Sequence, residues 1–359
     1  MKRPSFQDAR PDLLGLTLDQ FEQLVVEELG LEPYRARQVF RWLHGRLESD
    51  FQVMTDLARP VRTLFAEKTR VSGLTMRSSL EASDGTTKLA LETEDGLVIE
   101  TVMIPEGDKL TQCISTQVGC RMGCRFCATA RLGLRRNLTA GEIVGQTRFG
   151  RAWAQKRSRR ITNLVYMGMG EPLDNYEATV ASLQILMHPL GMNMSSRRIT
   201  LSTVGHLEGL RRLATEPFQV NLALSLNATT QKTRTAIMPA AKRWPLEDLL
   251  DGLAAFPLEK RRRITLEYVL ISGLNDGKAD AARLVSIAHK LRAKVNLIRL
   301  NPYPGCRLAP PDMNHTEQFA EQVRSRNVTV LLRKSKGADI QAACGQLAGT
   351  IKDHSTQET

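Results

Sequence analysis

Three of the chain's six cysteines fall within eight residues, in Cys120-Arg-Met-Gly-Cys124-Arg-Phe-Cys127. Such crowding is poor geometry for disulfides and good geometry for metal ligation. At C-x3-C-x2-C spacing, three thiolates can hold three irons of a [4Fe–4S] cluster and leave the fourth iron open to a small ligand. The competing reading is a zinc site that takes its fourth ligand from elsewhere, Cys113 for instance. Zinc sites more often use paired C-x2-C knuckles, and this sequence has no second knuckle. The cluster reading leads.

The aromatic Phe126 before the third cysteine adds a resemblance to radical S-adenosylmethionine (SAM) proteins. A second segment, Tyr166-Met-Gly-Met-Gly170-Glu171-Pro172, resembles the Gly-Glu-Pro piece that binds the SAM amino group in that superfamily. A carboxylate near a cationic amine, with glycines that let backbone approach closely, makes physical sense there. The resemblance implies that the open iron chelates SAM and that one electron cleaves it to a 5′-deoxyadenosyl radical.

A lone cysteine is usually a small buried hydrophobe, and Cys306 is read that way. Cys113 and Cys344 read differently in context. Cys113, the cluster cysteines, the Gly-Glu-Pro segment, Leu266-Glu-Tyr-Val269, Val295-Asn-Leu-Ile298 and Ala342-Ala-Cys344-Gly-Gln-Leu347 together resemble the RlmN/Cfr family of RNA methyltransferases. The match runs from Tyr34-Arg-Ala-Arg-Gln-Val-Phe40 to Gly349. The resemblance implies that a first SAM methylates Cys344 and that a second SAM supplies the radical that takes hydrogen from the S-methyl group. The methylene radical then adds to an adenine carbon, which is too poor a nucleophile to take a methyl group directly. Cys113 next attacks the Cys344 sulfur, forming a transient disulfide and freeing the methylated base; this requires Cys113 as a thiolate or close to it. Glu100 matches the family's proton acceptor, against the alternative of an ordinary exposed strand acid. SAM contacts carry over to Gly170, Glu171, Ser202, Ser225, Leu226, Asn227 and Asn301. Three departures stand out: Asn227 replaces a usual histidine, Arg299 a common proline, and Ser335-Lys-Gly337 a usual Thr-Arg-Gly.

These groups need a scaffold, and the sequence describes one. From about residue 109, strand patterns at Leu110–Thr116, Asn163–Met169, Arg198–Thr203, Val220–Leu226, Ile264–Ile271, Val295–Leu300 and Val328–Leu332 alternate with helical ones. The helices include Ala140–Arg148, Tyr176–Met187, Leu246–Phe256, Lys278–Leu291 and Thr316–Ser325. The alternation predicts an α/β fold with a parallel sheet, and the resemblance makes it a partial TIM-like (β/α) barrel of the radical SAM type. Chemistry in such sheets belongs at the C-terminal strand ends. Residues 109–350 are assigned to the barrel. Residues 76–108, with turns at Asp84-Gly85 and Asp95-Gly96 beside strands Thr87–Thr93 and Leu97–Ile104, form a β-hairpin linker. Residues 1–75 are read as a small helical RNA-binding accessory domain, against the alternative of a merely solvated basic helix face; in it Thr17 and Gln20 make a capping box and Gly30 can end the helix. A second stripe, Ala36, Val39, Phe40, Leu43 and Leu47, follows. Residues 351–359 read as a tail.

The chain carries a net charge of +12, which suits a polyanionic partner. Residues 121–160 hold 11 Lys/Arg and a single acid, Glu142. No stretch reaches the roughly 18 apolar residues of a membrane span, and Met1–Gly15 has no signal-peptide core, so a cytoplasmic protein is expected. The resemblance implies one [4Fe–4S] cluster, two SAM per turnover, and 23S ribosomal RNA with tRNA as substrates. It also implies an electron donor such as flavodoxin or ferredoxin, and a monomer. Of the family's two activities, methylation at adenine carbon-2 is favoured over carbon-8. From other classes, a zinc-stapled RNA-binding module leaves Cys344 and Glu100 unexplained, and an activase acting on protein fits the basic charge poorly.

Overall fold

A computed structural model describes residues 8–349; the tail assigned to 351–359 lies outside them. Among the described residues, twelve strands form two sheets. The large one runs, in spatial order, β1 (Thr75–Glu81), β2 (Thr87–Glu92), β3 (Val98–Glu106), β4 (Lys109–Cys113), β7 (Asn163–Tyr166), β8 (Ile199–Thr203), β9 (Asn221–Ser225), β10 (Thr265–Leu270), β11 (Lys294–Arg299) and β12 (Val330–Arg333). The remaining pair, β5 (Gln117–Gly119) and β6 (Leu134–Asn137), forms a small antiparallel sheet. From β4 to β12 every pairing is parallel, as strand–helix alternation requires. β1 to β4 pair antiparallel in an up-and-down meander. The hairpin strands therefore extend the barrel sheet.

The sheet curls. Beyond β12, the Gly337 N–H donates to Asp84 in the β1–β2 turn (3.2 Å), and Asp339 accepts from Ser83 N–H (3.0 Å). The two ends of the open sheet are thus bridged by the C-terminal segment, which gives a partial barrel. Helices α4 (Ala128–Arg131), α5 (Ala140–Gln155), α6 (Tyr176–Met187), α7 (Leu207–Leu213), α8 (Gln231–Ile237), α9 (Leu246–Ala254), α10 (Lys278–Lys290) and α11 (Met313–Arg324) alternate with the strands. On β10, Leu266, Tyr268 and Leu270 are fully buried, and Tyr268 stacks on Phe319 of α11 with ring centroids 5.9 Å apart. The intervening Glu267 points the other way and meets Asn296 of β11, as strand alternation dictates.

The N-terminal unit comprises α1 (Leu18–Glu27), α2 (Tyr34–Phe40) and α3 (Arg59–Lys68). The capping box at Thr17 and Gln20 forms as expected. After α2 the chain makes a π-helical turn, Arg41–Gly45. This unit docks on α5 and α6: Arg148 donates to the Leu47 carbonyl and Ser49, and Phe40 meets the ring of His188. No helix among the described residues is long and apolar enough to cross a membrane.

Candidate active site

Cys120, Cys124 and Cys127 occupy the loop between β5 and α4, past the C-terminal end of β4. The loop enters through Gly119, whose φ is +78° and whose missing Cβ would lie 1.8 Å from the Gly133 carbonyl oxygen. That oxygen accepts the Cys120 N–H at 3.0 Å. Arg125 N–H donates to the Ile237 carbonyl (2.9 Å), and Tyr303 Oη donates to the Arg125 carbonyl (2.9 Å).

The three thiols share one electrostatic neighbourhood. Burial pushes Cys120 up to about 12, with Glu171 and Cys127 adding to it. Cys124 is raised well above the usual thiol range by burial, then by Cys127 and Cys120. Cys127 is raised too, mainly by burial. Thiolates this close and this dry need a cationic partner to exist together. Arg234, 1% exposed, lies beside Cys124 and holds the Leu226 and Val204 carbonyls; burial pulls its guanidinium down to about 10. Among the described residues no three His, Cys, Asp or Glu side chains gather closely enough to hold one metal ion. A [4Fe–4S] cluster takes each thiolate on a different iron, so the donor set fits a cluster better than a single zinc.

Glycine is obligatory at Gly170. Its φ is +105°, and a Cβ there would fall 2.7 Å from Cβ of Gln117. This close crossing turns the chain so that Glu171 is 2% exposed behind the thiol loop. Its Oε1 accepts from Leu173 N–H (3.1 Å) and its Oε2 from Val204 N–H (2.8 Å). Burial outweighs those bonds and pushes the carboxyl up to about 7.

Ser202 and Ser225 end adjacent strands with their hydroxyls 3.5 Å apart. Asn301, just past β11, donates through Nδ2 to the Cys344 carbonyl (3.2 Å) and accepts from Ser335 Oγ (2.5 Å). All three sit on the C-terminal rim. Leu226 and Asn227 are turned into the wall. Leu226 is fully buried, and Asn227, at φ +56°, accepts the Val269 N–H on its Oδ1 (2.9 Å). Arg299 reaches away from the rim to the Pro311 carbonyl (2.7 Å).

Cys113 is the last residue of β4 and is 8% exposed. Its thiol is pushed up to about 12 by burial and then by Cys344, so the two cysteines share one electrostatic neighbourhood. Cys344 is exposed, yet burial by the surrounding barrel, followed by Glu267 and Cys127, pushes it up to about 12. It therefore faces solvent inside the rim. For both thiols the barrel interior disfavours the charged form. No disulfide joins cysteines among the described residues, and Cys306 is half-buried in a loop rather than a core residue.

The Cys344 segment is moored to the cluster loop. Ala128 N–H, directly after Cys127, donates to the Gly345 carbonyl (2.7 Å), and Thr129 Oγ1 donates to the Leu347 carbonyl (2.6 Å). Glu100 is fully buried, which removes the reading of an exposed strand acid. It also meets that segment: its Oε2 accepts the N–H groups of Ala348 (2.8 Å) and Gly349 (3.1 Å). Thr129, Arg234 and Gln117 escaped the sequence reading, and Ser335 entered it only as a departure from the family pattern. Of these, only Gln117, the first residue of the small sheet that leads into the cysteine loop, carried a positional signal.

Comparison with known proteins agrees with this geometry. A family model described as the ribosomal RNA large subunit methyltransferase N-terminal domain matches residues 11–71, and the radical SAM superfamily model matches 114–285. The dual-specificity RNA methyltransferase RlmN of Anaeromyxobacter dehalogenans is 46% identical over 95% of this chain and 92% of its own. That of Solidesulfovibrio magneticus is 46% identical over 94% of this chain and 96% of its own. The crystal structure of a radical SAM methyltransferase from Sphaerobacter thermophilus superposes with a TM-score of 0.89 at 42% identity, covering 95% of this chain and 100% of that one. With thiol loop, glycine-gated carboxylate and paired cysteines on one barrel rim, and identity of this depth over nearly its whole length, the chain belongs to the RlmN family of radical SAM RNA methyltransferases.

Proposed function

We propose that this enzyme methylates carbon-2 of an adenine in the peptidyl-transferase centre of 23S ribosomal RNA, and of the adenine beside the tRNA anticodon. The observation that carries the reading is the mooring of the Cys344 segment to the loop of Cys120, Cys124 and Cys127, with Cys113 in electrostatic reach. That arrangement supports reading Cys344 as a methyl carrier beside a radical source and Cys113 as a second thiol beside the carrier. Two SAM are consumed per turnover. Cys344 Sγ loses its proton and attacks the methyl carbon of the first SAM, so that the methyl group passes to the cysteine sulfur and S-adenosylhomocysteine leaves. Cys120, Cys124 and Cys127 would hold a [4Fe–4S] cluster, which, once reduced by a flavodoxin or ferredoxin, would supply with a second SAM the radical chemistry that takes hydrogen from that methyl group. Gly170, Glu171, Ser202, Ser225 and Asn301 line the rim where SAM binds, with Leu226 and Asn227 shaping the wall behind it. Glu100 accepts the proton lost from the substrate carbon, and the odd electron of the adduct would return to a cluster held by Cys120, Cys124 and Cys127. Cys113 attacks the Cys344 sulfur, forming a disulfide as the sulfur–carbon bond breaks and a proton completes the product's methyl group. Burial disfavours the thiolate at both cysteines, so their activation is part of the reaction.

The enzyme acts as a cytoplasmic monomer. Carbon-2 is chosen over carbon-8 because relatives named RlmN align over almost the full chain. Mass spectrometry of digested 23S rRNA and tRNA after anaerobic incubation with enzyme, reductant and SAM should show 2-methyladenosine in both. A product that is 8-methyladenosine overturns the carbon assignment.

A further inference from the structure

We infer that Lys88 is a positioning residue for Cys344, acting with Glu100 as a latch that opens when Glu100 takes a proton. The inference rests on the reading of Glu100 as proton acceptor and adds a consequence of it. Lys88 of β2 is only 8% exposed, and its Nζ lies 3.0 Å from Glu100 Oε1 on β3. The contact is an ion pair without hydrogen-bond alignment, and Oε1 has no other partner. Nζ also donates to the Gln341 carbonyl at 3.2 Å. Glu100 Oε2 accepts from Ala348 and Gly349 at the other end. One buried pair therefore grips the segment on both sides of Cys344, at 341 and at 348–349.

A buried cation is held by its counter-charge, and removing that charge is costly. When the hydrogen on the substrate carbon leaves as a proton to a Glu100 oxygen, its bonding electrons stay with the ring and nothing is oxidised or reduced. The neutral acid no longer balances Lys88 and accepts weakly from Ala348 and Gly349. The segment loosens at the step where Cys344 must turn from the base to Cys113. The proton thus reports that the carbon–carbon bond has formed.

Hydrogen exchange with mass spectrometry on the reconstituted holoenzyme tests this. Lys88→Met and Glu100→Gln, the latter a mimic of the protonated acid, should each speed amide exchange over 342–349 by about tenfold. Exchange within β2 and β3 should stay as in the wild type, and Lys88→Arg should restore protection. The double variant should match the single ones. Should Lys88→Met fail to fold, Glu100→Gln, which keeps size and shape, carries the comparison alone. Unchanged exchange over 342–349 in the folded variants overturns the latch, as does loosening spread equally over β2 and β3. Methylation assayed in parallel separates the two ideas. Lost methylation with unchanged exchange sinks the latch and leaves the proton acceptor standing. Raised exchange with normal methylation supports the latch and sinks the acceptor.

Discussion

At the scale of single residues, thiol chemistry here is governed by burial. Cys113, Cys120 and Cys344 are each pushed up to about 12, and each has a different remedy. For Cys120, Cys124 and Cys127 the remedy is a bound cluster. Replacing all three with Ala should remove both iron and methylation, while anaerobically reconstituted wild type should carry about four irons per chain. Metal analysis decides this, and stoichiometric zinc without iron contradicts it. Gly170 makes a second prediction. Alanine there combines φ +105° with a Cβ 2.7 Å from the Gln117 side chain, so Gly170→Ala should cost about 2 kcal/mol or more in stability and displace Glu171. Thermal unfolding and SAM cleavage read the two effects, and a variant with wild-type values for both contradicts the account. The three cluster cysteines were legible from their spacing, and the other site residues from the resemblance to the family's motifs. Their supports were not. Thr129, Ser335 and Arg234 hold partners 218, 34 and 30 positions away in the chain, and no local pattern encodes such pairings.

Among the elements, period and alternation located the seven parallel strands but missed β1, β5 and β6, and Tyr176–Met187 falls on α6. The misplaced ends have physical causes. β7 stops at Tyr166 rather than Met169, because the chain must bend so that Gly168 and Gly170 can pass beneath Ile114 and Gln117. α11 begins at Met313, capped by Asp312, a signal hidden by the preceding prolines. The short helices α7 and α8 are too brief for a clear period. The docking of the N-terminal unit also escaped the sequence, and it makes an acid-sensitivity prediction. His44 in the π-helical turn is fully buried, with both ring nitrogens unpartnered. Burial, then Arg148 and His188, pulls it down to about 3. Its folded value lies below the unfolded one, so the unfolded state takes the proton first as pH falls. Its contribution is intact above about 6.5 and is lost progressively from there towards 3, reaching about 2 kcal/mol by pH 5. His44→Leu should lessen the drop in thermal stability between pH 7 and pH 5. An equal drop in the variant contradicts the assignment to His44.

For the whole molecule, the +12 charge pointed to a polyanion, but the linear run of basic residues from 121 to 160 proved a poor guide to which of them are free. Arg121 pairs with Asp174, Arg136 with Asp95 and Glu142, and Arg148, Arg151 and Arg159 hold backbone carbonyls. Arg157 lies over the Trp153 ring and is exposed, as are Arg125, Arg131, Arg135, Lys156 and Arg160. Charge reversal at Arg157 and Arg160 should weaken RNA binding and flatten its salt dependence by about one unit of log–log slope for each phosphate no longer neutralised, leaving SAM cleavage unchanged. Affinity measured across a salt series reads this directly, and salt-independent binding contradicts an extended phosphate-binding surface.

The central claim is that one cysteine carries the methyl group and the other releases the product, and the two single variants test it directly. Cys344→Ala should yield neither methylated RNA nor a covalent adduct, with its iron retained. Cys113→Ala should instead accumulate enzyme covalently joined to RNA, seen on a denaturing gel as a shifted band that ribonuclease removes. Two packed cysteines without chemistry would give similar small losses of stability and no adduct in either variant. Full methylation of RNA by Cys344→Ala would contradict the account outright.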